Sequence, residues 1–283
     1  MNTREELVEY LCGGHSVYGA AHIPDRHGRH GLIAIGQYGS TRMNVHLCRR
    51  AAGAGVPAFR FELRGRGWCE GPIVSVDQTN QDIATAVRTF QKAVPSVATF
   101  TVMGLSEGAT AALLYAHTEP LITGIVLVNP WVRMEREAAK EHLFMNLRRI
   151  GNPDFWKRIR QTERGHLGAA RSLSVLVRNV VSASPTTDTL KDRVLDGFTR
   201  FRGMTFLVLG GADPATKVFT QVTANHVAKL KAQRRLRAHE VPEADHVFSN
   251  REHRDQLIRE IIRWTLENSE REIWSADLAS NVS

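Results

Sequence analysis

The spacing of apolar residues along this chain changes repeatedly between the period of a strand and the period of a helix. Between residues 7 and 23, Gly13, Gly14 and Gly19 separate short apolar pieces. Glycines at such intervals are typical of tight turns, so this stretch predicts an N-terminal hairpin at the edge of a sheet.

After this hairpin, short apolar runs alternate with segments whose apolar residues recur every three or four positions. In one such segment the apolar residues are Ile83, Val87, Phe90 and Val94. Pro95 follows, and proline commonly stops a helix. The predicted strands are 32–35, 56–61, 99–103, 122–128, 205–209 and 236–241, with helices near 43–51, 83–94, 109–116, 216–231 and 257–264. This alternation predicts a mostly parallel, doubly wound α/β sheet.

The alternation of strands and helices stops between residues 129 and 203. This segment has helical patterns with basic faces and a few large apolar residues, which predicts a helical insertion into one large core. The last residues, 269–283, are polar and have little periodicity. We therefore predict a core formed by residues 1–128 and 204–268, a cap or lid at 129–203, and a C-terminal tail at 269–283.

The net charge of +8, from 37 basic and 29 acidic residues, permits an anionic partner but does not identify one. The sequence has no helix-turn-helix signature and no motif of interleaved basic and aromatic residues, so nucleic-acid binding is not expected. Its three cysteines, Cys12, Cys48 and Cys69, form no C-x-x-C pair and no cluster with histidine. We therefore expect no disulfide framework, metal site or organic cofactor.

The first ten residues are charged where a secretory signal would be apolar, with Arg4, Glu5, Glu6 and Glu9 among them. No later stretch approaches the ~20 apolar residues of a membrane-spanning helix. We therefore expect a cytoplasmic protein without a membrane span.

The segment Gly104-Leu105-Ser106-Glu107-Gly108 matches the pattern G-x-S-x-G and lies between a predicted strand and a predicted helix. In the nucleophile elbow of the α/β-hydrolase fold, a serine occupies a strained strand-to-helix turn and exposes its hydroxyl above the sheet. Strand and helix approach so closely there that side chains at positions 104 and 108 would collide. Ser106 is therefore the predicted nucleophile.

A serine hydroxyl needs a base to accept its proton and a carboxylate to orient that base. In this fold the chain order is serine, then aspartate or glutamate, then histidine. Asp213 and His246 each follow a predicted strand, where a doubly wound sheet places its reacting groups. They are the predicted acid and base, with Glu243 as the alternative acid. The other histidines, His22 and His30 among them, are expected at the surface or at helix caps.

Acyl transfer also needs two hydrogen-bond donors for the oxyanion. One is the backbone amide of the residue after the nucleophile, which is Glu107 here. The other comes from the loop after an early strand. Counting from the end of the strand at residues 32–35 indicates the amide of Gln37, with Tyr38 as the alternative.

Six segments of the chain resemble the exosortase A system-associated hydrolases of the type 1 subfamily. They are Gly104 to Gly108, Phe59 to Pro72 (FRFELRGRGWCEGP), Asn129 to Arg133 (NPWVR), Asn152 to Trp156 (NPDFW), Phe201 to Gly203 (FRG) and Ala244 to Ser249 (ADHVFS). The resemblance implies a bacterial α/β-hydrolase, similar to serine aminopeptidase-like and esterase-like lipases and linked to exopolysaccharide or protein-sorting gene clusters. It implies no substrate.

This chain departs from that subfamily in two places. Cysteine often stands at the subfamily's nucleophile position, whereas this chain has Ser106, and its loop 36–40 is shorter. Thiol-specific chemistry and the position of the second oxyanion donor are therefore not carried over. The general assignment as a hydrolase is carried over, because serine and cysteine use the same acyl-enzyme cycle.

These residues predict a serine hydrolase that cleaves an ester or thioester through an acyl-enzyme. Basic residues of the insertion, such as Arg148 and Arg149, would admit an anionic substrate such as a carboxylated sugar or a carrier-bound acyl group. The alternative is a solvated cationic helix face. Two other functions stay open, namely an acyltransferase with the same triad and a non-catalytic partner protein with this fold. The sequence predicts no oligomeric state.

Overall fold

The computed structural model of the chain describes residues 2–36, 41–132 and 189–280. The strands are β1 (Thr3–Cys12), β2 (His15–Pro24), β3 (His30–Gly36), β4 (Ala58–Glu62), β5 (Thr99–Leu105), β6 (Ile122–Val128), β7 (Met204–Gly210) and β8 (Leu236–Val241). The helices of these ranges are α1 (Thr41–Gly53), α2 (Asn80–Ala93), α3 (Glu107–Ala116), α4 (Leu190–Arg200), α5 (Pro214–Ala232) and α6 (Arg251–Ser280). The described residues of Met1–Val132 and Val194–Ser283 form one compact unit. The predicted cap, 129–203, lies largely outside the described residues, so its boundaries stay a prediction.

The eight strands form one sheet in the order β1-β2-β4-β3-β5-β6-β7-β8. Strand β2 runs antiparallel to both β1 and β4, and every pair from β4 to β8 is parallel. The predicted mostly parallel sheet of the α/β-hydrolase fold is therefore confirmed. Its six parallel strands bring their carboxyl ends to one edge, where the predicted reacting residues also lie.

The N-terminal hairpin is confirmed at the edge of this sheet, where β1 and β2 are paired along their full length. Gly13 and Gly14 have φ of +59° and +83°, the two left-handed conformations that a tight two-residue hairpin turn requires. Gly19 is not part of a turn. It lies inside β2, where an added Cβ would be 2.3 Å from the ring of Phe59 on β4.

The core lies on both sides of the parallel strands. The predicted apolar face of α1, formed by Met43, Leu47 and Ala51, is buried against the sheet together with residues of α6. Residues Ile125 to Val128 of β6 are all buried, as expected of a strand covered on both faces. Burial on both faces leaves the strand ends as the places where this sheet can present polar side chains.

Helix α6 extends further than the periodicity of the sequence indicates. It packs through Leu257, Ile258, Ile261 and Trp264, and it continues through Ser280 into the segment interpreted as a tail. Alanine, leucine, glutamate and arginine have high helix propensity, so a helix can continue there without an apolar stripe. Neither α6 nor another helix within the described ranges has the length and hydropathy needed to cross a bilayer.

Two histidines expected at the surface are instead buried in the sheet region. His30 has hydrogen-bond contacts with Thr99 Oγ1 at 2.9 Å and Thr101 Oγ1 at 2.8 Å. His22 accepts a hydrogen bond from Arg60 Nε at 3.2 Å. The expectation of a surface position fails because neighbouring strands supply polar partners for both rings, and those partners are distant in sequence.

His22 belongs to a charged network that joins β1 and β4 to α1. The Glu5 carboxylate accepts hydrogen bonds from Arg49 Nε at 2.9 Å and Arg60 Nη2 at 3.0 Å. It also lies 3.8 Å from His22 Nδ1. The pKa of His22 falls from 6.5 to about 4, mainly because the ring is buried; Glu5 opposes the shift, and the nearby arginines add to it. His22 is therefore an uncharged acceptor at neutral pH.

This lowered pKa predicts that folding stability falls as the pH drops from about 6.5 towards 4, because only the unfolded chain binds a proton at His22 in that window. By pH about 5 the loss attributable to His22 is about 1 to 2 kcal/mol. We expect His22→Gln to flatten the pH dependence of urea unfolding between pH about 7 and about 5. His226→Gln, on the half-buried face of α5, is the control. Equal pH dependence in His22→Gln and the unmodified protein would contradict this assignment.

Candidate active site

Ser106 occupies a sharp turn between β5 and α3. Its φ of 55° and ψ of −122° are unusual for a residue with a side chain, and such strain persists only where the surroundings enforce it. The Ser106 amide donates to the Val128 carbonyl at 2.8 Å, and its carbonyl accepts from the Ala109 and Thr110 amides at 3.0 and 3.1 Å. Strand β6 and the first turn of α3 therefore hold this conformation.

The predicted steric reason for a glycine at position 104 is confirmed. A Cβ added at Gly104 would lie 2.1 Å from the carbonyl carbon and oxygen of Gly108. Because those atoms belong to the backbone of α3, they could not move aside without shifting the helix. The absence of a side chain at this position lets β5 and α3 meet closely enough to form the turn at Ser106.

Asp213 and His246 lie on the loops after β7 and β8 and contact each other directly. The distance from His246 Nδ1 to Asp213 Oδ2 is 2.6 Å. An ionised carboxylate only accepts hydrogen bonds, so Nδ1 donates, and Nε2 of the neutral ring is left as an acceptor. The Asp213 side chain is 4% exposed and that of His246 37% exposed, which leaves the imidazole accessible while its partner is enclosed.

Asp213 is also held by the helix that follows it. As the N-cap residue of α5, it accepts a hydrogen bond through Oδ1 from the Ala215 amide at 3.0 Å. Pro214 occupies the first turn of that helix, where a missing N–H costs nothing. The two carboxylate oxygens therefore have separate partners, one in the helix and one in the imidazole.

The acidic neighbours of His246 are oriented elsewhere. Asp245 accepts hydrogen bonds from the Ser249 amide, at 2.8 Å, and from the Ser249 hydroxyl. These bonds hold the pKa of Asp245 below its usual value. Glu243, the alternative acid, is exposed at a left-handed turn position with φ of 61°. The carboxylate that contacts the imidazole is that of Asp213.

One cavity brings the three predicted side chains together. It has a volume of about 500 Å³, within the range of small-molecule sites. Its lining residues are Arg66, Ser106, Glu107, Trp131, Asp213, Ala215 and His246. Ser106, Asp213 and His246 come from three loops that are distant in sequence, and all three loops follow parallel strands at the same edge of the sheet.

The first predicted oxyanion donor, the amide of Glu107, begins α3 directly after Ser106. The first amides of a helix have no acceptor within the helix, and the helix dipole makes this end attractive to negative charge. The two alternatives for the second donor, Gln37 and Tyr38, lie outside the described residues. That part of the site stays a prediction.

A second cavity, of about 100 Å³, lies beside β2 and β4 and is lined by Tyr18, Phe61, Trp68 and Cys69 among others. Burial raises the pKa of the Cys69 thiol, which disfavours the nucleophilic thiolate. This cavity is therefore a poor candidate for nucleophilic chemistry. In the part of the chain that the structure describes, no group of three or more histidine, cysteine, aspartate or glutamate side chains could hold a metal ion.

The sequence interpretation missed Asn129, which ties the site together. This buried residue has φ of 41° and follows β6. Its Nδ2 donates to the His246 carbonyl at 2.9 Å, and its Oδ1 accepts from the Gly210 amide at 2.7 Å. It therefore joins the end of β7, three residues before Asp213, to the loop that bears His246. The available signal was an asparagine, a residue that tolerates left-handed conformations, at the end of a buried strand.

The sequence interpretation also assigned no role to Arg66 or Trp131. Trp131 is half-buried, and its backbone is held by Thr110, whose Oγ1 accepts from the Trp131 amide at 3.1 Å. Arg66 Nη2 donates to Glu107 Oε2 at 3.2 Å. Each is brought to the cavity by contacts between distant segments, which local patterns in the sequence do not report.

The comparisons with known proteins agree with this fold. The model of the alpha/beta hydrolase family matches residues 27–260. None of the curated proteins matches the chain. Esterase Pf2001 of Pyrococcus furiosus is similar in structure, with a TM-score of 0.64, 14% identity, and coverage of 94% of this chain and 93% of that one. Est1E from Butyrivibrio proteoclasticus has a TM-score of 0.59 at 15% identity, covering 93% of this chain and 98% of that one.

A third similar structure is that of DcsB in complex with its substrate analogue, with a TM-score of 0.65, 14% identity, and coverage of 94% and 100%. Identities this low show a shared fold alone, whereas the family match spans most of the chain. The class defined by fold and site is that of the hydrolases. The chain belongs to the α/β-hydrolase family.

The contacts of Asn129 predict its contribution to stability. Asn129→Ala would leave the Gly210 amide and the His246 carbonyl without their partner, and we expect the free energy of unfolding to fall by about 2 to 4 kcal/mol. Asn129→Asp keeps an acceptor for Gly210 and should lose less. Urea unfolding measures both, with the exposed Asn225→Ala as control. A loss in Asn129→Ala no larger than in the control would show that these bonds do not stabilise the site.

Proposed function

We propose that this protein is a serine hydrolase that cleaves carboxylic esters through an acyl-enzyme on Ser106. His246 acts as the general base and Asp213 as the residue that orients it. The observation that supports this proposal most directly is that Ser106, on a strained turn, shares one cavity with an imidazole whose Nδ1 lies 2.6 Å from a buried carboxylate oxygen. That arrangement leaves Nε2 as the proton acceptor.

The first half-reaction follows from this geometry. His246 Nε2 accepts the hydroxyl proton as Ser106 Oγ attacks the carbonyl carbon of the ester. The carbonyl oxygen becomes an oxyanion and accepts a hydrogen bond from the Glu107 amide at the start of α3. When the tetrahedral intermediate collapses, the bond to the leaving alcohol breaks and the imidazolium donates its proton to that alcohol. The acyl group is left on Ser106.

In the second half-reaction, water replaces the Ser106 hydroxyl as the nucleophile, and Ser106 becomes the leaving group. His246 Nε2 accepts a proton from water, the resulting hydroxide attacks the acyl carbon, and Ser106 leaves with the proton returned by the imidazolium. The buried Asp213 carboxylate stabilises the imidazolium in both halves, because an opposite charge at hydrogen-bond distance acts strongly where water is excluded. Thioesters would react by the same steps, with a thiol as the leaving group.

The broader context is proposed from the sequence motifs alone. A bacterial, cytoplasmic role linked to exopolysaccharide or protein-sorting gene clusters rests on the six segments that resemble the exosortase-associated hydrolases. The assignment of the second oxyanion donor to Gln37 or Tyr38 rests on counting from β3. Neither proposal affects the chemistry proposed for Ser106.

Labelling with a fluorophosphonate tests the nucleophile. We expect one covalent adduct per chain, carried by the peptide that contains Ser106, because the reagent phosphonylates activated serine hydroxyls. Mass spectrometry of the digested protein locates the adduct. Ser106→Ala should abolish labelling, whereas Ser96→Ala, at an exposed turn, should leave it intact. Labelling that survives in Ser106→Ala would place the nucleophile elsewhere.

Hydrolysis of p-nitrophenyl esters tests the acid. Asp213→Asn would give His246 an amide partner that can stabilise the wrong tautomer, and we expect kcat to fall by roughly 10³- to 10⁴-fold. Glu243→Gln removes the alternative acid, which does not contact the imidazole, and should retain activity. If Glu243→Gln were inactive and Asp213→Asn active, the two assignments would have to be exchanged.

A further inference from the structure

Arg66 supplies a positive charge to the cavity that contains Ser106, and the proposed mechanism has no use for it. A guanidinium has five N–H donors in a planar fork that suits carboxylates and other anions. Among the described residues that line the cavity, Glu107 is the one that Arg66 bonds to, from Nη2 to Oε2 at 3.2 Å. The remaining donors can therefore serve a bound molecule.

The loop that bears Arg66 is held by a buried ion pair two residues earlier. The Asp82 carboxylate on α2 accepts from the Arg64 amide at 2.9 Å and from Arg64 Nη2 at 3.0 Å. Arg64 Nε donates to both carboxylate oxygens, at 3.1 and 3.2 Å. Bidentate pairs of this kind fix both position and direction. The backbone at residue 64 is therefore anchored to α2.

The backbone between these two arginines is equally constrained. Gly65 has φ of +69°, and a Cβ there would lie 2.7 to 2.8 Å from backbone atoms of residues 71–73. The Gly65 amide donates to the Glu70 carbonyl at 3.0 Å, and the Arg66 amide donates to the Leu63 carbonyl at 3.1 Å. The loop therefore presents Arg66 to the cavity from a rigid backbone, which lowers the entropy cost of binding.

The contact between Arg66 and Glu107 differs in kind from the buried pair. The Arg66 side chain is 22% exposed and that of Glu107 is 42% exposed, compared with 10% and 2% for Arg64 and Asp82. Ion pairs with this exposure contribute little stability, because water screens both charges. A second carboxylate that reaches Arg66 can therefore share it with Glu107, or replace Glu107, at small cost.

The charges around the cavity favour a ligand with a single negative charge. Arg66 is cationic, and the start of α3 also attracts anions. Glu107 and Asp213, however, bring two carboxylates to the same cavity. A monoanion such as a carboxylate can be balanced by Arg66, whereas a doubly charged phosphate would be repelled more strongly by both acidic side chains.

We propose that Arg66 binds a carboxylate of the substrate, so that the cavity at Ser106 takes esters that carry a second, negatively charged carboxyl group. This inference rests on the proposed function and adds a substrate class to it. Glu107 then has two roles. Its backbone amide donates to the oxyanion, and its side chain pairs with Arg66 when no substrate is bound.

The test compares matched esters that differ only in the terminal charge. The p-nitrophenyl half-esters of glutaric and adipic acid carry a carboxylate, and the p-nitrophenyl esters of valeric and hexanoic acid carry a methyl group at the same position. We expect Arg66→Gln to lower the ratio of kcat/KM, anionic over neutral, by about tenfold or more, the effect of one charge-assisted hydrogen bond. Arg66→Lys keeps the charge but not the planar fork of donors, so its ratio should lie between those of the unmodified protein and Arg66→Gln.

Glu107→Gln provides a test with the opposite sign. It removes the competing carboxylate, so the same ratio should rise. If the contact between Arg66 and Glu107 were merely structural, Arg66→Gln and Glu107→Gln would each lower the turnover of both esters alike. Arg237→Gln is the matched control, because it removes one charge from another exposed pair, at 3.0 Å from Glu267, outside the cavity lining. The inference is overturned if the ratio in Arg66→Gln stays within twofold of the unmodified protein.

A binding measurement separates this inference from the proposed function. Calorimetric titration of monomethyl adipate into Ser106→Ala and into Ser106→Ala/Arg66→Gln needs no turnover. About tenfold weaker binding to the double variant supports the carboxylate site even if no ester is hydrolysed, in which case the proposed function fails alone. Equal binding overturns the site, and turnover with fluorophosphonate labelling would then leave the proposed function standing.

Discussion

The hydrogen bonds of Asn129 hold the site together, because they join the ends of β6, β7 and β8 beyond the ladder between β6 and β7, which stops at Val128 and Val208. Hydrogen bonding between strands ends where the sheet ends, and the loops beyond it must be held by side chains. The Asn129 amide donates to the Val208 carbonyl at 2.9 Å, while its side chain binds the last residue of β7 and the loop after β8. A contact of 2.6 Å between Asp213 and His246 requires those two loops to keep their separation.

Steric exclusion at Gly104 plays the same role for Ser106. The close approach of β5 and α3 forces the turn that sets Ser106 at φ 55°, and the Val128 carbonyl anchors its amide. Val128 is the residue before Asn129. The serine and the two loops are thus all anchored to the same end of β6. This strand is buried along most of its length, so moving the serine or either loop would require moving the sheet.

The sequence predicted the features that depend on local chemistry. Paired glycines at 13 and 14 indicate a tight hairpin, a largely apolar run rich in β-branched residues indicates β6 with its observed bounds, and the order of Ser106, Asp213 and His246, each after a parallel strand, indicates their common edge. Features that depend on distant partners were missed. Asn129 binds residues 81 and 117 positions away, Arg66 meets a carboxylate 41 positions away, and His22 accepts a hydrogen bond from an arginine 38 positions away. No local period reports such contacts.

The two arginines of the loop after β4 show why net charge says little about this cavity. Removing either partner of the buried pair between Arg64 and Asp82 would leave a charge unpaired in a protein interior, at a cost of about 3 to 5 kcal/mol. The exposed pair between Arg66 and Glu107 can open at a small fraction of that cost. Because the two pairs are only two residues apart, the loop is rigid in its backbone and adaptable at its guanidinium. A net charge of +8 spread over the whole chain has neither property. What a cavity can bind is decided by which of its charges are already neutralised and how firmly.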